Sequence, residues 1–509
     1  MSYNTKIISV LLVALFAAAG SLLADPAARV GRVNYLSGDV SFHPSSVDEW
    51  TDAALNYPIG VGDELWTGDG ARAELHVGST AVRLDSDTSL SFLSLDDTVA
   101  QMSVARGSLN VRLRRLDAGD TWEIDTPGTS VMLKEAGSYR VDVDPSGATG
   151  VTVRSGQAEV SSGQYAYPLY AGQSARITAD TSGGIAIGEA ASVDDWDTWC
   201  AARDAHEDSV ASVRYVPRAM TGYEDLDAYG TWSVDADYGE VWAPAGVPAG
   251  WAPYRDGHWA WIAPWGWTWI DRAPWGFAPF HYGRWARIRG AWMWAPGPRT
   301  TVVVYAPALV VFVGAGPTEG NVGWFPLGPR DPYIPPYTAT IAYRQRINVG
   351  RTGAFDFGRI TVADVHYMYR DDVEAHTLVP RLAFARSEQV RDVRIVAGRV
   401  PPAQIRVSAA PAGVVAQRES LLAAPIRVPA AAARVPAQLY QRPVVVRTTP
   451  ERRPPAVVPG AGPQPRQPQV RTAPQGPGRE TTNGPQPQNK TVKKRVYRDG
   501  QWVWIEVAE

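Results

Sequence analysis

Between residues 73 and 93, apolar and polar positions alternate in three short runs, 73–77, 81–84 and 89–93, separated by Gly, Asp and Ser. A period of two sends successive side chains to opposite faces, so each run reads as a half-buried antiparallel strand. The same texture extends from Val30 to about Ile187, with glycines such as Gly38, Gly62, Gly70, Gly107 and Gly156 at the turns. Strand-and-turn units at intervals of roughly 8 to 15 residues predict an all-β domain over 28–187, either a sandwich or a short β-solenoid. The period then becomes helical: Trp196, Trp199, Cys200 and Arg203 share a face, Ser192 can cap, and Asp194 and Asp195 suit the positive end of the helix dipole. These residues predict a short linker helix within 190–212, with Cys200 buried and inert on its apolar side.

From 229 to 297 the pattern changes again. Twelve of the 20 tryptophans lie here, interleaved with Gly, Pro and Tyr. Residues 252–259 (APYRDGHW) and 278–285 (APFHYGRW) share Ala-Pro-aromatic-x-x-Gly-x-Trp, and Trp267 with Trp269 recurs as Trp292 with Trp294. Two copies of a hairpin unit follow, with turns at Pro264–Gly266 and Arg289–Gly290. The Trp-rich antiparallel β-hairpin domain is placed at 222–330, with a small extension over 331–400. Residues 300–314 are Val-rich and interrupted by Pro307, which suggests a further hairpin rather than a spanning helix. A last echo, 497–504 (YRDGQWVW), repeats six of the eight residues of 254–261 and predicts a C-terminal strand within 491–509.

Charge divides the chain. Of 49 Lys and Arg, 26 follow residue 340, against 13 of 52 Asp and Glu, leaving an acidic body and a basic tail. Residues 401–490 hold 18 prolines, 12 basic and 3 acidic residues, so this Pro/Arg/Gln-rich stretch cannot bury enough surface to offset chain entropy and is expected to be disordered. It would act as a spacer, with possible contact between its basic residues and anionic envelope surfaces. At the other end, Lys6 followed by an apolar run over 7–20 and a small-residue site after Ala24 reads as a signal peptide over 1–24. The expected address is periplasmic or secreted, without a transmembrane span in the mature chain. The single cysteine excludes an intrachain disulfide and a multi-cysteine metal site.

In order, 31–40 ending in LSGDV, 61–75 (VGDELWTGDGARAEL), 105–111, Thr126 with Pro127, 151–160 and 171–175 resemble the blocks of the FecR periplasmic domain over about 150 residues. In its regulatory members that domain lies outside a membrane helix and relays a receptor signal to a cytoplasmic anti-sigma segment. Neither that segment nor that helix is recognisable here, and the Arg-Gly-Thr usual after the Thr-Pro block is replaced by residues 135–138 (EAGS). The resemblance therefore implies the fold and an extracytoplasmic address. Residues 222–226, 229–232, 251–254, 264–269 and 281–285 are similar to a Trp-rich domain of unknown function found behind FecR-like domains in secreted bacterial proteins, which implies no activity.

The seven histidines are scattered, and no zinc-protease, nucleophile-elbow or phosphate-loop motif occurs. Glu123 and Asp125 read as turn carboxylates; His258 and His281 could meet across the Trp sheet. A non-enzymatic chain with no catalytic residue, cofactor or metal is expected, acting as a structural or protein-interaction scaffold for an envelope partner. The alternative is a cell-wall glycan-binding module stacking sugars on Tyr254, Trp259, Trp261, Trp265, Trp267, Trp269, Trp285, Trp292 and Trp294. A further alternative, implied by the resemblance, is an envelope signalling component related to FecR sensors. Nucleic acid is not expected, because the body is acidic and the Trp-rich stretch has few basic residues. If the indoles interlock, they are core; if coplanar and open, they bind.

Overall fold

The computed structural model describes residues 25–179, 184–300, 302–314, 320–350, 355–395, 406–422, 435–448, 491–498 and 501–508. The signal peptide expected over 1–24 lies outside them. The chain forms two compact units, one built from Val30–Val210, Ala385–Glu388 and Val414–Glu509, the other from Met1–Arg29, Ala211–Phe384 and Gln389–Gly413.

In the first unit, alternation of apolar and polar positions yields two nine-stranded sheets. The chain feeds them by turns. The hairpin Arg72–Val77/Thr80–Leu84 enters one sheet and Ser89–Leu95/Val99–Ser103 the other. Gly107–Leu113 returns to the first, Thr121–Asp125/Ser130–Leu133 to the second, and Gly137–Val143/Thr149–Ser155 to the first again. From Arg72 on, each sheet grows in sequence order, so the unit has two sheets in section, as a sandwich does, and advances coil by coil like a solenoid. Pairing is antiparallel except where Val99–Ser103 runs parallel to Thr121–Asp125. Leu65, Leu75, Val82, Leu90, Val111, Ile124, Val141 and Val151 are wholly buried.

The helix α1 (Asp195–Asp208) belongs to this unit. Its cap is Asp194 rather than Ser192: the Asp194 carboxylate accepts from the Asp197 amide at 2.9 Å, and Asp197 completes a capping box. Cys200 is buried, which pushes its thiol up to about 12 and leaves it inert.

In the second unit both predicted hairpins form: Gly257–Ile262 pairs with Gly266–Asp271, and Arg284–Ile288 with Ala291–Ala295. Trp259 sits opposite Trp269, Trp261 opposite Trp267 and Trp285 opposite Trp294. The second hairpin also joins Gly230–Asp235 and Gly239–Pro244 in a four-stranded sheet. The glycine of each repeat has a steric reason. A Cβ on Gly257 would stand 2.7 Å from the Trp269 ring, and one on Gly283 2.2 Å from Trp294 Nε1. Each repeat therefore packs an indole directly on bare backbone.

Three expectations need correction. Residues 300–314 do not close a hairpin on themselves; Val310–Val313 pairs with Asn321–Pro326, in a sheet completed by Thr377–Pro380 and Val407–Ser408. The C-terminal echo is not a single strand, because Thr491–Arg498 pairs with Gln501–Ala508. Within the stretch expected to be disordered, residues 406–422 and 435–448 are ordered by contacts that composition does not encode, and the rest of 401–490 lies outside the described residues.

Candidate functional site

The second sheet of the first unit carries a groove filled by its own chain. In strand Thr121–Asp125 the side chains of Glu123 and Asp125 share a face and are wholly buried. They are strand carboxylates, not turn carboxylates. Glu123 accepts from Ser130 Oγ at 2.6 Å, the Arg447 amide at 2.7 Å and the Thr448 amide at 3.0 Å. Gln101, on the parallel neighbour strand, donates to Asp125 at 2.8 Å and to the Thr448 carbonyl at 3.0 Å. The Val445 amide donates to the Thr126 carbonyl at 2.9 Å. Burial pushes the Asp125 carboxyl well up, and the neighbouring Glu123 charge adds to this. Burial also acts to raise Glu123, but hydrogen bonds from Asp125, Ser130, Thr448 and Arg447 outweigh it and hold that carboxyl low. The two carboxyls are thus driven apart, Asp125 upward and Glu123 downward.

Farther along the groove, Tyr440 packs on Trp50, with ring centroids 5.0 Å apart, and its hydroxyl donates to the Leu65 carbonyl. Arg442 reaches the Ala105 carbonyl at 3.2 Å, and Arg447 pairs with Glu159. The contacts near Glu123 engage main-chain groups of the occupant. Such a groove reads backbone, as strand-accepting peptide sites do.

A second polar cluster lies beneath α1. Arg83 donates to Glu74 at 2.5 Å, Asp204 at 2.7 Å and Glu207 at 3.1 Å; Arg203 clasps Glu74 at 2.6 and 2.7 Å. His76 Nε2 lies 3.2 Å from Glu74 and 3.4 Å from Glu207. Burial acts to raise Glu74, but hydrogen bonds from Arg203 and His76 and the charges of His76 and Arg83 hold it well below the ordinary carboxylate range. Glu74, His76 and Glu207 are close enough to share a metal ion. The guanidinium groups already occupy the Glu74 oxygens, so this is an ion-pair network fastening α1 to its sheet.

The predicted stacking surface is not open, and that reading is corrected. Tyr254, Trp259, Trp265, Trp267, Trp269, Trp285, Trp292 and Trp294 are buried; Trp261 alone of the nine is half-buried. They interlock edge to face. Trp259 meets Trp269 at 5.5 Å and 68°, and Trp324 at 5.3 Å and 79°, while Tyr254 meets Phe280 at 4.9 Å and 86°. Rings whose faces are covered by other rings form a core and cannot receive a sugar. Nor do His258 and His281 form a pair: His281 Nδ1 bonds the Ala306 carbonyl at 2.8 Å, and His258 Nδ1 bonds Gln389 at 3.0 Å.

Sequence reasoning missed the Glu123–Asp125–Gln101 set. The available signal was a pair of carboxylates two apart in an otherwise apolar strand, which places both on one face.

Residues 63–159 match the family model described as FecR protein, and residues 223–331 match the family of unknown function DUF6600. No curated protein matches the chain. Two crystal structures of a candidate anti-sigma factor from Parabacteroides distasonis, at 2.50 and 1.65 Å resolution, share 19% and 18% identity with it. Each comparison covers 25% of this chain and 59% of the other, with a TM-score of 0.23, a likeness too slight to carry function. The chain therefore carries a FecR domain within its two-sheet unit and, behind it in sequence, a DUF6600 domain within its Trp-rich unit.

Proposed function

We propose that this chain is a non-enzymatic periplasmic or secreted envelope protein whose FecR domain accepts an extended peptide, serving as a protein-interaction module related to envelope signalling. The observation that carries this reading is the capture of the Arg447 and Thr448 amides by Glu123 and of the Thr448 carbonyl by Gln101. A site that engages main-chain groups tolerates many side-chain sequences, so a partner segment can replace the resident one. The FecR match supports an envelope setting, and among the described residues no helix is long and apolar enough to cross a membrane.

The test uses the full chain with residues 436–448 exchanged for Gly and Ser of equal length. A synthetic peptide of 435–448 should bind this variant saturably and the parent chain far less, and Glu123→Gln in the variant should weaken binding about 10-fold or more. Failure of the exchanged chain to bind the peptide would sink the reading. Crosslinking in an envelope extract should then enrich a defined partner on the exchanged chain over the parent.

A further inference from the structure

The Trp-rich unit contains a cleft of about 560 Å³ that continues into a lobe of about 390 Å³. Trp251, Arg255 and Arg394 line both. Trp251 is half-buried, held by edge-on contacts to Trp275 at 5.9 Å and Trp285 at 5.4 Å. It is therefore a fixed indole in a solvent-reachable wall, unlike the interlocked rings behind it. Volumes of this order, about 300–1,000 Å³, suit small-molecule ligands.

The charge is unusual. Arg255 donates to Thr377 Oγ1 at 3.2 Å and to the carbonyls of Gly250 at 3.2 Å, His376 at 3.1 Å and Glu374, so every one of these partners is neutral. Arg394 is exposed and makes no ion pair among the described residues. Arg287, on the same wall, is satisfied by Asp372 at 2.9 Å and by Glu374. Neither the Arg255 nor the Arg394 guanidinium is hydrogen-bonded to a carboxylate, although Glu374 lines the first lobe and Asp256 and Asp271 the second. Burial, then the Arg394 and Arg287 charges, bring the Arg255 side chain down to about 10 against the opposing charges of Asp372 and Glu374.

We propose that this cleft binds an acidic saccharide, with a sugar ring laid on Trp251 and its carboxylate or phosphate held between Arg255 and Arg394. The electropositive C–H face of a pyranose complements the negative face of an indole, and a guanidinium fork matches either oxyanion. Two lobes sharing one Trp–Arg ridge fit successive units of a polymer better than a lone ion. The site is independent of the peptide groove and moves sugar recognition from the buried tryptophans to a ring outside the repeat core.

Calorimetric titration of the full chain with an oligogalacturonate, an N-acetylmuramic acid disaccharide and glucose 6-phosphate tests this, with cellotetraose and inorganic phosphate as controls. At least one acidic saccharide should bind, weaken as salt rises, and exceed both controls by about 10-fold or more. The arm that binds separates carboxylate from phosphate recognition. Arg394→Gln, an exposed change, should weaken binding about 5-fold or more with an unchanged melting temperature. Trp251→Leu should weaken it too, and spectroscopic confirmation of its folding keeps that result interpretable. The proposal is overturned if no acidic saccharide binds, if cellotetraose binds equally, if inorganic phosphate alone matches the best saccharide, or if folded Arg394→Gln binds like the parent.

Discussion

Arg83 and Arg284 are both wholly buried, one in each unit, and their surroundings differ. Arg83 meets three carboxylates, and although burial opposes its charge, Glu74, Glu207 and Asp204 raise its pKa above the ordinary guanidinium value. Arg284 meets the Asp331 carbonyl at 3.1 Å, the Gly283 carbonyl at 2.8 Å and Asn348 Oδ1 at 3.1 Å, and burial draws it down to about 10. Around Arg83 the FecR-domain unit buries charge as an ion-pair network. The Trp-rich unit buries rings and satisfies its buried Arg284 with neutral oxygens. In that setting an arginine at a cleft, such as Arg255, is hydrogen-bonded to neutral groups only.

The sharpest way to break the comparison is to strip one side of each network. Glu74→Gln leaves Arg83 and Arg203 underpaired in a buried site, and a loss of about 3–5 kcal/mol is expected from chemical denaturation of the two-sheet unit. Asn348→Ala removes a neutral acceptor from Arg284 and should cost less, about 1–3 kcal/mol. Equal losses would erase the distinction. A similar size is expected for the ring core: Trp269→Ala should cost about 3–5 kcal/mol, because Trp269 packs on Gly257 and meets Trp259 and Trp324. Trp261→Ala, at a half-buried ring, should cost clearly less on the same measurement.

A smaller effect separates the units by pH. Glu74 and Glu207 are held below their ordinary values, so their contribution is present above about pH 4.3 and is lost as pH falls through their folded values. In the Trp-rich unit, burial pushes the Asp271 carboxyl up to about 8, so its contribution is present below about pH 3.9 and declines as pH rises through 8. Thermal melts across this range should show acid loss in the two-sheet unit, diminished by Glu74→Gln. The Trp-rich unit should lose stability as pH rises from about 4 to about 8, diminished by Asp271→Asn. Asp125, also pushed up by burial, adds a loss with rising pH to the two-sheet unit, which Asp125→Asn should diminish.

Much of this molecule was legible in the order of its residues. Period-two alternation predicts the β-sheets, and the repeat at 252–259 and 278–285 predicts both Trp hairpins, because strand geometry and turn preference act locally. Helical spacing likewise located α1 and placed Cys200 on its inner face. Tertiary structure decided the rest. Whether Trp259, Trp269 and Trp294 are surface or core depends on which rings meet them from distant strands, and no local period encodes that. The same holds for Glu123, which looked like an ordinary acidic position until Arg447 and Thr448, more than 320 residues later, brought their amides to it. The sequence by itself determined which segments could be strands, helix and turns. Only long-range packing decided which polar groups are buried together, because that depends on contacts between residues far apart in the chain.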